Sequence, residues 1–246
     1  MQNKKEQFKK NEVKALSLLI DFFLPADCKI CKSPLEYDEK YICAQCILKI
    51  ERINPPICKK CGVPSLNGGF CYECHRRRRY FKEARMFGVF NGNLKEVIHI
   101  FKYEKKQALS YQLGLLMYDL LQGLNWEFDC IAYIPLHKKK EGQRGFNQTK
   151  LLSEVISKKR NIPILKGLIK AIDTPSQVGL SYDERCKNVI ETFLWKGDKN
   201  MVKGKTILLI DDVFTTGTTV EEVSKTLLYS GCKDVFVLCL ARTIEK

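Results

Sequence analysis

The stretch TILLIDDVFTTGTTVEEV, Thr206 to Val223, decides the fold. Its apolar run Ile207–Ile210 predicts a buried strand, and the pattern after Gly217 predicts a helix. Between them stand two adjacent carboxylates, Asp211 and Asp212, and the loop residues Thr215, Thr216, Gly217, Thr218 and Thr219. Strand, tight loop and helix in that order is the repeating unit of an α/β parallel sheet. The order also suits a sugar phosphate. Backbone N–H groups at the loop and helix start bind an anion, and the helix dipole supports it. Gly217 admits a positive φ and close approach of the backbone. Ionised carboxylates only accept hydrogen bonds, so the aspartate pair suits two vicinal hydroxyls. A Walker loop is excluded: GKT at Gly204–Thr206 has Lys199 where that motif needs its first glycine.

An ordinary strand–turn–helix with a capping threonine is the plain alternative. Two aspartates, four threonines and a glycine in one turn fit that alternative poorly. The string resembles the phosphoribosyl-pyrophosphate (PRPP) motif of type I phosphoribosyltransferases, DDVxTTGxT. The resemblance implies that Asp211 and Asp212 contact the ribose hydroxyls. It implies that Thr215, Thr216, Gly217, Thr218 and Thr219 take the 5′-phosphate.

At the other end of the chain, four CxxC pairs fall within 47 residues: Cys28/Cys31, Cys43/Cys46, Cys58/Cys61 and Cys71/Cys74. Each pair sets two thiolates on one side of a tight turn, the bite that tetrahedral zinc needs. Eight ligands suit two structural Cys₄ sites. Sequential pairing is the simplest, and a cross-braced pairing stays open. His75 could replace Cys74, but a histidine beside a ligand is more often a bystander. A disulfide framework would need an oxidising compartment. The sequence offers no export signal for one: Asp21 interrupts the apolar run ALSLLIDFFLPADC, and Asp27 stands before Cys28. Residues 1–24 are expected to form an amphipathic helix instead. The remaining cysteines, Cys130, Cys186, Cys232 and Cys239, are dispersed and suit core packing.

The expected organisation is thus a helix over 1–24, a double zinc ribbon over 25–76 and a phosphoribosyltransferase-like α/β domain over 77–246. No segment reaches the roughly 18 apolar residues of a membrane span, and a cytoplasmic location is expected. Net charge is +14. Residues 1–80 carry 16 Lys/Arg against 9 Asp/Glu, and the rest 26 against 19, so the ribbon region is the more densely cationic. Such a field favours polyanions. Its densest part is HRRRRYF, His75–Phe81. Arg76, Arg77, Arg78 and Arg79 beside Tyr80 and Phe81 suit single-stranded nucleic acid, by phosphate contact and base stacking. A solvated linker is the competing reading.

In the middle, ARMFGVFNGN (Ala84–Asn93) suggests a β-ribbon arm turning at Asn91–Asn93. LKEVIHIFKY and ALSYQLGLLMYDLLQGL suggest helices, and FDCIAYIPL a buried strand. His99 in the first helix is expected to be a packing residue and not a catalyst. A polar, basic loop is expected from His137 to Gly145, with helix resuming near Asn147. In open parallel sheets, ligands bind at the carboxyl ends of the strands. His137, Lys138, Lys139, Lys140 and Arg144 are therefore candidates for a diphosphate beside the ribose.

PLHKKKEGQRGFNQ, then TPSQVGLSYDERCKNVIETF (Thr174–Phe193), then LLIDDVFTTGTT, together resemble the ComF family of competence protein F/GntX-type proteins. A cysteine-rich N-terminal double zinc ribbon is typical of it. The resemblance implies a zinc ribbon joined to a type I phosphoribosyltransferase-like domain. It also implies a cytoplasmic role with incoming single-stranded DNA, alongside DNA-uptake or recombination proteins. Mg²⁺ would accompany PRPP. The stretch Thr174–Asn188, with Gln177, Arg185 and Asn188, is expected to line or cover the site. Two functions stay open: a PRPP-binding adaptor in DNA uptake, or an active transferase moving phosphoribose to a nitrogen acceptor.

Overall fold

The computed structural model describes residues 27–36, 39, 41–172 and 192–244. The helix expected over 1–24 and the stretch Thr174–Asn188 lie outside the described residues. The chain divides into two compact units, Met1–Ile50 and Glu51–Lys246.

The first unit is built on Cys28, Cys31, Cys43 and Cys46, with helix α1 (Ala44–Leu48) starting at Cys43. The second unit begins with a copy of the same motif. In the first copy Cys28 N–H bonds Ser33 O, Lys32 has φ 62°, and Asp27 bridges Pro34. In the second, Cys58 N–H bonds Val63 O, Gly62 has φ 67°, and Ile57 bridges Pro64. Helix α2 (Tyr72–Arg76) starts at Cys71 as α1 starts at Cys43. Position 62 is glycine for a reason that position 32 does not share. A Cβ there would stand 2.6 Å from the carbonyl oxygen of Ala84.

That close approach docks the second motif on the sheet. Strand β1 (Glu83–Val89) is followed by α3 (Gly92–Tyr103), α4 (Leu109–Gln122), β2 (Cys130–Tyr133), α5 (Lys138–Arg144) and α6 (Gln148–Arg160). A hairpin of β3 (Leu168–Lys170) and β4 (Phe193–Trp195) comes next, then β5 (Thr206–Phe214), α7 (Thr218–Tyr229) and β6 (Asp234–Arg242). The main sheet has the order β1-β6-β5-β2, and every pair in it is parallel. The central strands β5 and β6 are buried along nearly their whole length, as continuous apolar runs with both faces covered should be.

Helices α4 and α6 pack together on the sheet. Gly114 lets them close up, because a Cβ there would fall 2.7 Å from Val155 Cβ. The other layer is one apolar core in which Val220, Val223 and Leu227 of α7 join Phe81, Phe193, Cys58 and Cys61. Cys130, Cys232 and Cys239 are also buried, as apolar packing residues.

Two local expectations are corrected. Glu83–Val89 is not half of an antiparallel ribbon but a parallel edge strand on β6. The turn at Asn91–Asn93 opens straight into α3, so no returning strand exists to make a ribbon. The open edge of β1 is covered instead by the chain leading into and through the second motif: Ile53 N–H bonds Phe87 O, Val89 N–H bonds Glu51 O, and Ala84 N–H bonds Lys60 O. Second, the basic segment after β2 is the seven-residue helix α5 and not a loop. Lys, Glu, Gln and Arg are all good helix formers, and Gly145 at φ 80° ends the helix in the left-handed conformation.

Candidate functional site

Parallel pairing brings the carboxyl ends of β2 and β5 side by side. Ile134 N–H, just past β2, bonds Ile210 O immediately before the aspartate pair. The basic helix α5 and the acidic pair therefore leave the same edge of the sheet from neighbouring strands.

Asp211 and Asp212 occupy the end of β5, which runs four residues beyond the apolar run Ile207–Ile210. Successive strand residues point to opposite faces, and the two carboxyls have different surroundings. Asp211 is buried, and its Oδ1 accepts the Asp212 N–H at 2.8 Å. Burial, with the charge of Asp212, pushes the Asp211 carboxyl up to about 8. Asp212 is paired with Lys102, Nζ to Oδ1 at 2.8 Å, both side chains being largely covered. Lys102 comes from the last turn of α3, and the sequence reading missed it. Its only signal was a lone lysine near the end of an otherwise ordinary amphipathic helix.

Gly217 is the N-cap of α7 at φ 81°. It offers no side chain to the first-turn N–H groups; the Thr218 N–H makes a long bond to Thr216 Oγ1 at 3.4 Å, and no N-cap side chain occupies the others, which suits an anion. Thr216 Oγ1 lies 2.9 Å from Thr218 Oγ1, while Thr215, Thr216 and Thr219 are exposed. The floor of this loop is Phe214, whose ring fills the space a Gly217 side chain would need: a Cβ would stand 2.4 Å from Phe214 Cζ.

Beyond β2, Asn147 caps α6 by accepting from Thr149 N and Lys150 N, and its amide donates to Ile134 O at 3.1 Å. This ties the start of α6 to the end of β2 and places the basic helix between them. Lys138 and Lys139 are exposed, and His137 and Lys140 are partly covered. Arg144 donates to Gln148 Oε1 at 3.3 Å and lies over the Tyr103 ring, next to Lys102 in the chain. The Gln148 side chain is buried, and its Nε2 has no hydrogen-bond partner. His99 is exposed, with its ring 4.8 Å from that of Tyr103.

The cysteines gather as two groups in sequential order, Cys28/Cys31/Cys43/Cys46 and Cys58/Cys61/Cys71/Cys74, with all four sulfurs of each group within 4.8 Å of one another. Neighbouring sulfurs are 3.8 Å apart for Cys28–Cys46 and 3.6 Å for both Cys31–Cys43 and Cys61–Cys71. A tetrahedral edge is ~3.8 Å for Zn–S bonds near 2.3 Å, whereas a disulfide would need about 2.05 Å. Backbone N–H groups also point at sulfur, Cys43 N at Cys28 Sγ and Cys71 N at Cys58 Sγ, which stabilises thiolates. Both groups fit zinc. Hydrogen bonding from Cys74, aided by the charge of Arg242, draws the Cys61 thiol down to about 4.

Of the four arginines, Arg76, Arg77 and Arg78 are exposed. Arg76 stacks on Tyr72 and donates to its hydroxyl at 2.7 Å, and Arg77 pairs with Glu73 at 3.4 Å. Arg79 differs: its side chain is 11% exposed and lies 3.8 Å from Glu221 on the first turn of α7. A groove of about 1170 Å³ joins these features. It runs from Thr215, Thr216 and Thr218 along α7 to Arg77–Arg79 and Tyr72, with Trp195 on its wall.

Residues 19–75 match the double zinc ribbon domain and residues 153–246 the phosphoribosyl transferase domain. Competence protein F of Haemophilus influenzae is 28% identical over 222 residues, covering 87% of this chain and 96% of that protein. DNA utilization protein YhgH of Escherichia coli K12 is 28% identical over 229 residues, covering 90% of this chain and 99% of that one. Among solved structures, a purine phosphoribosyltransferase from Pyrococcus horikoshii aligns at 20% identity over 53% of this chain and 70% of the other, with a TM-score of 0.32. Among the described residues no helix is long and apolar enough to cross a membrane. The parallel sheet, the cysteine clusters and the near full-length similarity agree with the motif resemblance: the chain is ComF-like, a double zinc ribbon joined to a phosphoribosyltransferase-type domain.

Proposed function

We propose that this protein binds Mg²⁺–PRPP at the carboxyl edge of its sheet and handles incoming single-stranded DNA in the cytoplasm during DNA uptake. The observation that carries the ligand reading is the end of β5: a carboxylate pair followed within five residues by an uncapped helix start at a left-handed glycine. Asp211 and Asp212 accept hydrogen bonds from the two ribose hydroxyls. The N–H groups and hydroxyls of Thr215–Thr219 hold the 5′-phosphate. Lys138, Lys139, Lys140 and Arg144 stand on the neighbouring strand's exit, where a diphosphate would extend, and the buried Gln148 amide adds a free donor there.

Mg²⁺ fits the donor set, because carboxylate oxygens are hard ligands and Asp211 and Asp212 stand side by side at the end of β5. When bound, it supplies neutralisation of the diphosphate charge.

The DNA reading is supported by the groove beside this site, cationic at Arg77, Arg78 and Lys225 and aromatic at Tyr72, Tyr80 and Tyr229. Charge that follows a backbone and faces that stack on bases are what a single strand needs. Relatives named for competence and DNA utilization agree with it.

Calorimetric titration with PRPP and Mg²⁺ tests the first half. Saturable binding by the wild type, lost in Asp211→Ala, Asp212→Ala, is expected; a wild type that binds nothing overturns it. Fluorescence anisotropy with a labelled single-stranded oligonucleotide tests the second half. Binding should weaken with salt, and replacing Arg76, Arg77 and Arg78 should make the salt slope shallower by about two to three. An unchanged slope rejects this surface. A transferase reading rests on the same intact aspartate pair, and release of diphosphate on adding a nitrogen acceptor would establish it.

A further inference from the structure

The second cysteine cluster is wired to the floor of the phosphate loop. Arg242, the last residue of β6, donates from Nη1 to the carbonyl oxygen of Cys61 at 2.8 Å. The same guanidinium stacks 4.5 Å from the centroid of Phe214. Phe214 in turn meets Phe81 edge to face at 6.1 Å and fills the space beneath Gly217. A second strut runs alongside. Arg79, five residues after Cys74, reaches Glu221 of α7 at 3.8 Å, and Glu221 Oε1 accepts the Tyr80 N–H at 2.6 Å. The first route starts at a ligand of the second cluster and the second five residues after one, and both end within four residues of Gly217. The first cluster belongs to the other compact unit.

We propose that Arg242 is a positioning residue through which metal at the Cys58/Cys61/Cys71/Cys74 cluster holds the phosphate loop in its binding conformation. The physical reason is that metal closure and packing act on the same turn. Docking on β1 holds the Cys61 turn from one side, and closing its CxxC on a metal fixes the carbonyl from the other. The guanidinium is oriented by that carbonyl, and its planar face sets the tilt of Phe214. Phe214 leaves room for a single loop geometry at Gly217. Occupancy of the phosphate site and metal retention at the second cluster are then linked, and linkage is reciprocal. The identity of the phosphate ligand rests on the PRPP reading above; the coupling itself does not.

Hydrogen–deuterium exchange on the full-length, zinc-loaded protein reads the coupling with no ligand added. Backbone amides of residues 214–221 should exchange about tenfold faster in Cys71→Ser, which loses the second zinc, and unchanged in Cys43→Ser, which loses the first. Arg242→Met should show the same local acceleration while both zincs remain bound, and Arg242→Lys should recover part of the protection. If residues 214–221 are unmoved in Arg242→Met with metal present, or accelerate as much in Cys43→Ser, the proposal is overturned. A second arm follows zinc release to a chromophoric chelator. PRPP with Mg²⁺ should slow release of one of the two zincs in the wild type and of neither in Arg242→Met; protection that survives in Arg242→Met also overturns it. A wild type that fails to bind PRPP, yet shows the exchange effect, rejects PRPP as the ligand and leaves the coupling standing.

Discussion

Lys102 Nζ lies 2.8 Å from Asp212 Oδ1, so the last turn of one helix supplies the counter-charge for the carboxylate pair at the end of another strand. Among the described residues Asp211, the buried neighbour, pairs with no cation of its own, and Lys102 also draws its carboxyl downward. Replacing Lys102 by Met leaves two adjacent carboxyls without that charge. We expect a loss of about 1–3 kcal/mol, because removing one partner of a largely covered pair leaves the other without its partner. The deficit should be larger at pH 9 than at pH 6, where Asp211 takes up a proton and relieves the repulsion. Denaturant melts at the two pH values measure it. An equal deficit at both would mean that the pair and Asp211 are not coupled.

Asp211 itself makes folding pH-dependent in an unusual direction. Its carboxyl titrates near 3.8 when unfolded and near 8 when folded, so the folded chain binds more protons between those values. Stability from this group is complete below the lower value and is lost as pH rises through the upper one. Asp211→Asn cannot ionise and escapes the loss. Relative to the wild type, it should gain at least about 1 kcal/mol between pH 5 and pH 8. Thermal melts of the two proteins across that range decide the matter, and a pH-independent difference rejects the assignment. Ligand binding should run the other way. Ribose hydroxyls donate to ionised oxygens, so PRPP affinity should increase from pH 6 to pH 8.5, with proton release detectable by calorimetry in buffers of different ionisation enthalpy.

Gly217→Ala tests the loop. The position has φ 81°, and an added Cβ would meet Phe214 Cζ at 2.4 Å. Left-handed backbone alone costs an L-residue about 1 kcal/mol, and a displaced buried ring adds to that. A loss of about 2 kcal/mol and of phosphate-site binding is expected. Native stability with unchanged PRPP affinity would show that the loop has slack the packing does not suggest.

Legibility in the sequence followed the distance along the chain over which each feature is assembled. The acidic pair and the Thr/Gly loop are contiguous, so one nine-residue string carried both, and φ at Gly217 is positive as its place in the loop required. The cysteine spacing likewise named all eight sulfurs, because each CxxC closes locally. Lys102 could not be read this way: it meets Asp212 across 110 positions, and nothing in an amphipathic helix distinguishes it. Arg79 and Arg242 were hidden for the same reason. The first sits in a run of four like residues, of which it alone is buried against Glu221. The basic segment after β2 reads as a loop from its polarity and charge, but its run of helix-forming residues decides the structure. β1 was read as a ribbon because local alternation cannot say that its partner is β6, some 150 residues on.

The two cysteine clusters should differ sharply in what their loss does to the rest of the chain. Cys28 and Cys58 are equivalent residues of the two motifs, and each is fully buried. Cys58 and Cys61 belong to the apolar core that contains Phe81, Phe214 and α7, and the turn between them and β1 is sealed by Lys60, Gly62 and Ala84. Cys28 sits in the separate unit that ends at Ile50. Ligand–metal free energy in such motifs is folding free energy. Cys28→Ser should therefore lose one zinc and leave the main melting transition of residues 51–246 within about a degree. Cys58→Ser should lose the other and lower that transition by roughly 6–12 °C, as expected for about 3 kcal/mol in a unit of this size. Scanning calorimetry paired with zinc analysis compares them. Equal shifts for the two variants would mean that the core does not draw on the second cluster, and the docking of Gly62 on β1 would then be a contact without energetic weight.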